Sequence, residues 1–135
     1  MEEVFLAHLW SNFSKKNSHR LTILWMDCCN KFISGGPYAT LMKEEFVIGQ
    51  NEHLPGLHRL FLESRGLIVG CGAGRGESSI GLPDGGVFTN GLLSGLKAKC
   101  ANDAVTWNEI FSYVASYCPQ HVQSHQQHPI MQYVP

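Results

Sequence analysis

The first apolar run of strand length is Leu21 to Met26, LTILWM, and it stops abruptly at Asp27, Cys28 and Cys29. A short run with no polar alternation, ended by an acid and thiols, predicts a buried parallel strand that delivers reactive side chains to its carboxyl end. In open α/β sheets that edge is where ligands bind. Ahead of it, Val4, Phe5, Leu9, Trp10 and Phe13 recur at helical spacing and predict an amphipathic helix over Glu2 to Phe13, followed by the polar loop SKKNSHR. After it, NKFISGGPYA breaks all regularity and predicts a loop. Residues Thr40 to Gly56 lack a period and read as loop with room for one helical turn.

Leu57 to Ser64 returns to helical spacing, Gly66 provides its stop, and Leu67 to Cys71 predicts a second strand. The glycine-rich GCGAGRGESS and the turn-like GLPDGG follow, up to Val87. A helix is predicted over Val87 to Lys99, with Phe88, Leu92, Leu93 and Leu96 on the face that packs on the sheet. Another is predicted over Asp103 to Tyr117, with Val105, Ile110, Val114 and Tyr117 on one face and Asp103 or Thr106 as N-cap. The tail HVQSHQQHPIMQYVP is polar and then briefly apolar. Helix, strand, long loop, helix, strand, glycine loop, helix, helix is the order of an α/β domain with a mainly parallel sheet. Two strands are too few for a stable open sheet, so the chain is expected to be part of a larger one.

At 135 residues the chain fits one domain and one core. A net charge of -1, with 16% charged residues, offers no basic excess to a phosphate backbone, which argues against nucleic acid as partner. Cysteines 28, 29, 71, 100 and 118 are odd in number and include an adjacent pair, so free thiols in a reducing, cytoplasmic setting are expected. The start carries acids where a secretory signal carries positive charge, and no apolar run approaches the ~18 residues of a membrane span. No membrane association is expected. His121, His125 and His128 read as exposed tail residues rather than a metal site, because no acid lies nearby. No metal or cofactor is called for. The glycine loop lacks the GK[ST] ending of a phosphate loop.

A cysteine at a strand's carboxyl end can serve as a nucleophile where a base or dipole favours its thiolate and backbone N–H groups await an oxyanion. Position alone favours the plainer reading of Cys29 as a small buried apolar residue, since a free cysteine is more often that than a nucleophile. LTILWMDCCN, GLIVGCGAGRGESS, GGVFTNGLLSGL and QQHPIMQ, in that order and spacing, resemble the caspase-like peptidases, the group of caspases, metacaspases and bacterial caspase-domain proteins. The resemblance runs from about Leu21 to Met131 and covers the later part of such a catalytic domain. It implies a three-layer αβα fold, incomplete at its N-terminal side, with residues 1–135 as a partial catalytic domain.

The same resemblance makes Cys29 the nucleophile of a cysteine endopeptidase acting on a protein or peptide substrate. Asp27 becomes an acid of the first specificity pocket, implying cleavage after a basic residue. A cap on a nearby turn explains Asp27 equally well. Glu77 and Ser78 fall on the wall of the substrate cleft, beside Arg75, which reads as solvated. Asn30, Lys31 and Phe32 stand where the family has a small residue and glycine.

The family's histidine precedes a glycine on an earlier strand. Neither His8 nor His19 is followed by glycine, and both read as surface or packing residues. The base is therefore expected outside this chain, on the remainder of the catalytic domain, leaving the isolated chain inactive. A fragment, one piece of a processed enzyme (with processing between Ser34 and Ser64) or a degenerate homologue would each account for this. Two alternatives stay open: a non-catalytic caspase-like module that binds or regulates a partner, and a flavodoxin-like or hydrolase fragment unrelated to caspases.

Overall fold

A computed structural model describes residues 20–27, 29–32, 53–82, 85–122 and 126–135, with the backbone alone for 29–32. The helix expected over Glu2 to Phe13, Cys28, His8, His19, His125 and most of the segment where processing is expected lie outside the described residues.

β1, Leu21–Met26, forms where the apolar run predicts it. It pairs in parallel with β3, Gly66–Cys71, from Leu21 opposite Gly66 to Met26 opposite Cys71. The ladder runs one step further, the Gly72 N–H donating to the Met26 carbonyl at 2.9 Å. β6, Ile130–Val134, adds antiparallel to the other side of β3, giving the order β1-β3-β6. A second three-stranded sheet has the order β2-β4-β5: β2, Cys29–Phe32, is parallel to β4, Ser79–Leu82, which pairs antiparallel with the two-residue β5, Gly85–Gly86. β2, β4 and β5 replace what the sequence read as loop and turn. Ser79 to Leu82 are all buried, so the segment is too short and too evenly covered to alternate. The architecture is mixed α/β, with the two parallel pairs each extended by an antiparallel strand.

Of three helical segments, the second and third pack against these strands and the first against the other helices. α1 begins at Pro55, favoured in a first turn because its missing N–H is an orphan there anyway. It spans Pro55–His58 and widens into a π-helical turn, Arg59–Glu63, closed by the Ser64 N–H donating to the Arg59 carbonyl at 3.1 Å. α2, Val87–Lys99, has the predicted bounds and buries Val87, Phe88, Gly91, Leu92 and Gly95, while Leu93 and Leu96 are half-buried. α3, Trp107–Gln120, starts later than predicted and runs past Tyr117, with Pro119 in its last turn. Thr106, the second of the two N-cap candidates, caps it through a capping box with Glu109. Such a cap contributes about 1 kcal/mol. Gly91 and Gly95 let α3 lie close, since a Cβ on Gly91 would stand 2.8 Å from the Tyr117 ring.

The core between helices and sheets is aromatic at its centre. The Trp25 ring lies 5.8 Å from Phe88, 6.1 Å from Trp107 and 6.3 Å from Phe111, inclined or edge-on in each pair. Among the described residues, no helix is long and apolar enough to cross a membrane.

Candidate functional site at the carboxyl ends of β1 and β3

Asp27 follows the last residue of β1. Its Oδ1 accepts from the Ser79 hydroxyl at 2.8 Å, and its Oδ2 accepts from the Thr89 hydroxyl at 2.5 Å and the Thr89 N–H at 3.2 Å. Thr89 lies in the first turn of α2, whose own N-cap, Gly86, offers no side chain. The carboxylate therefore caps α2 from another strand, satisfying an orphan N–H at the positive end of the helix dipole. The approach is so close that a Cβ on Gly86 would overlap the Asp27 carboxylate. Asp27 does cap a helical turn, but one reached across the fold rather than along the chain.

Ser79, the first residue of β4, is buried and joins this acid to Gln127, which is 0% exposed. The Gln127 Oε1 accepts from the Ile80 N–H at 3.1 Å, while its Nε2 donates to the Gly72 carbonyl at 2.8 Å and lies 3.4 Å from the Ser79 hydroxyl. One amide side chain thus ties the end of β3 to the start of β4, so that the two sheets meet at this point.

Glu77 stands in the glycine loop just before β4. It accepts from the His128 N–H and is paired with the His128 ring through Nδ1, both at 2.6 Å, and accepts from the Gly74 N–H at 3.2 Å. His128, expected as an exposed tail residue, is 61% exposed at its side chain and also clamps the tail onto this loop. Hydrogen bonds from the His128 side chain and backbone hold the Glu77 carboxyl below its ordinary value, against a smaller opposing effect of burial. A depressed carboxyl contributes stability above its unfolded pKa of about 4.3, and that contribution is lost as pH falls through the folded value. Glu77→Gln, which turns a donor toward these donors, is expected to cost about 1 kcal/mol at pH 7 and progressively less below about pH 4. Urea titrations across pH check this, and a pH-independent difference would contradict it.

Cys29 opens β2, with its Cα paired to that of Ser79, and the register shifts between Cys29 and Lys31 as in a β-bulge. Bulges commonly re-aim the chain beside functional sites. The structure thus brings Asp27, Ser79, Thr89, Gln127 and the backbone of Cys29 to one strand edge. Ser78 is half-buried between Glu77 and Ser79, and Arg75 is exposed at the loop tip. His121 lies apart from this edge, its ring stacked on Tyr117 at 3.7 Å and its Nδ1 2.8 Å from the Tyr117 carbonyl. No group of three or more potential metal ligands occurs among the described residues.

Of the described cysteines, Cys71 is half-buried, and Cys100 and Cys118 are buried. Cys118 on α3 is fully buried, and burial, reinforced by the negative charge of Asp27, pushes its thiol up to about 12. Burial also raises that of Cys100. Neither carries appreciable thiolate at neutral pH.

Sequence reasoning did not name Ser79 or Gln127, gave Thr89 no functional role and read His128 as an exposed tail residue, although each falls in or beside a motif read from the chain. Comparison with family models, with curated proteins and with solved structures found no match to this chain.

Proposed function

We propose that this chain is the later part of a caspase-like catalytic domain, a cysteine endopeptidase in which Cys29 attacks the peptide carbonyl. The observation that carries this reading is convergence. Asp27 from LTILWMDCCN, Thr89 from GGVFTNGLLSGL, Ser79 next to GCGAGRGESS and Gln127 from QQHPIMQ meet through hydrogen bonds at the strand edge where Cys29 begins β2. The thiol forms an acyl-enzyme and its backbone N–H helps to hold the oxyanion. Glu77 and Ser78 line the cleft wall.

Asp27 receives three neutral donors. A carboxylate has roughly four acceptor positions, so one remains for a substrate Arg or Lys, and cleavage after a basic residue is part of the proposal. So is a reducing cytoplasmic setting in which the thiols stay free. The base is a histidine on a further strand. β1 supports this, because apolar residues line both of its faces, Thr22 apart, as in a central strand, yet all six residues are half-exposed and, among the described residues, pair only with β3.

A second reading, a non-catalytic module that binds or regulates a partner, is favoured by the internal engagement of Asp27 and by Asn30, Lys31 and Phe32 after the thiol. Thiol-reactive peptides ending in Arg or in Asp separate the two. On the full-length gene product the arginyl probe is expected to label Cys29 faster than the aspartyl one, and Cys29→Ala to abolish labelling and cleavage of a basic peptide. If neither probe labels Cys29, the peptidase reading fails.

A further inference from the structure

We propose that Gln127 is a positioning residue for the Asp27–Cys29 strand end, acting through Ser79; the substrate-binding side of this inference rests on the peptidase reading above. The buried polar residues among those described are Ser79 and Gln127, and they touch each other. Buried polar side chains are retained where every hydrogen-bonding group is satisfied, and here the satisfaction has a direction. The Ile80 N–H fixes the amide oxygen of Gln127, so the amide nitrogen must face the Gly72 carbonyl and the Ser79 hydroxyl. A hydroxyl has one hydrogen. With an N–H pointed at its oxygen, Ser79 can turn that hydrogen only outward, toward Asp27 Oδ1 at 2.8 Å.

Gln127 therefore makes Ser79 a dedicated donor to Asp27, which fixes the carboxylate between Ser79 and Thr89. Asp27 is two residues before Cys29, and Ser79 is its register partner on β4. One amide thus sets both the orientation of the acid and the place where β2 begins. Gln127 itself is fully buried and offers no surface to a ligand. Its effect on substrate should appear in recognition of a basic side chain rather than in the intrinsic reactivity of the thiol.

Gln127→Met removes every polar contact at similar length, Ser79→Ala removes the bond to Asp27 together with the contact to the Gln127 amide but leaves that amide on Gly72 and Ile80, and Gln127→Glu keeps the acceptor for Ile80 but donates only when protonated. The first readout needs no catalysis: hydrogen exchange at the Thr89 amide, which Asp27 accepts. It should speed up about tenfold in Gln127→Met and Ser79→Ala, the scale of one lost hydrogen bond, with the α3 amides of Ile110 and Val114 unchanged. The second is the rate at which an arginyl probe labels Cys29 in the full-length product, divided by the rate with iodoacetamide. That ratio should fall about tenfold in the same two variants while the iodoacetamide rate holds. In Gln127→Glu it should be low at alkaline pH and recover as the pH falls and the buried carboxyl takes up a proton.

Unchanged Thr89 exchange in Gln127→Met, or exchange raised equally at all amides, overturns the positioning role. A normal ratio beside faster Thr89 exchange overturns its link to substrate. If the wild-type protein takes no arginyl probe, the peptidase reading and that link fail together, and Thr89 exchange still decides whether Gln127 positions Asp27.

Discussion

Asp27→Ala is expected to destabilise the protein by about 3 kcal/mol or more, because it leaves the Ser79 hydroxyl and both donors of Thr89 without their acceptor. Each unsatisfied buried or half-buried donor costs on the order of 1–3 kcal/mol, and relaxation or entering water recovers part of that. Asp27→Asn is expected to lose less, about 1–2 kcal/mol, since its carbonyl replaces one acceptor oxygen and its amide can donate to the Thr89 hydroxyl in place of accepting. The order Ala worse than Asn separates a hydrogen-bonding role from one of charge alone, which would make the two neutral variants alike. Urea titrations measure both.

Cys118 supplies an independent check. Asp27 is the lesser cause of its raised thiol pKa, so in Asp27→Asn the value should fall below about 12 while burial keeps it above that of a free thiol. If Asp27→Ala matched the wild type within about 0.5 kcal/mol, the acid would not be bonded as the structure has it.

What was legible in the sequence follows from how local the determining forces are. β1 and β3 announce themselves as apolar runs, and α2 as an unbroken helical period between Gly86 and Cys100. The register of β1 on β3 follows from neither run alone. β2, β4 and β5 were hidden because two to four residues cannot display a period, and because β5 consists of Gly85 and Gly86, which read as turn material until β4 is there to pair with them. β6 was masked by the polar tail before it, although its residues alternate between exposed and half-buried once paired with β3.

The site divides in the same way. Asp27, Cys29, Glu77 and Ser78 were named through a resemblance that marks positions. The partners that give Asp27 and Glu77 their local character lie 52, 62 and 51 residues away, at Ser79, Thr89 and His128. Gln127 is the plainest case. A glutamine in a His/Gln-rich tail carries no signal of burial, and only the meeting of Gly72, Ser79 and Ile80 makes a dry slot for one amide.

Phe88→Ala is expected to be the most damaging change in the core, at about 3–5 kcal/mol, a large share of the roughly 5–15 kcal/mol that holds a typical domain folded. Phe88 is 1% exposed, and its ring sits 5.8 Å from that of Trp25. Gly70 leaves the space both rings need, since a Cβ there would run into the Trp25 ring and stand 3.0 Å from the Phe88 Cζ. Such a site cannot collapse onto the missing ring without moving β3 or the first turn of α2, so most of the cavity cost is expected to remain. Phe88→Leu keeps more of the volume and should cost about 1.5 kcal/mol.

Phe88 also immediately precedes Thr89, so loosening its seat should loosen the cap that Asp27 makes on α2. A double-mutant cycle of Phe88→Leu with Asp27→Asn reads this directly in urea titrations. Separated sites add within about 0.5 kcal/mol, whereas residues sharing a backbone segment couple by about 0.5–3 kcal/mol. Here the coupling should make the pair less damaging than the sum of the singles, because a turn already displaced has less of the Asp27 bond to lose. Strict additivity would mean that the acid at the strand end is held by Ser79 alone and that the aromatic core does not reach the site.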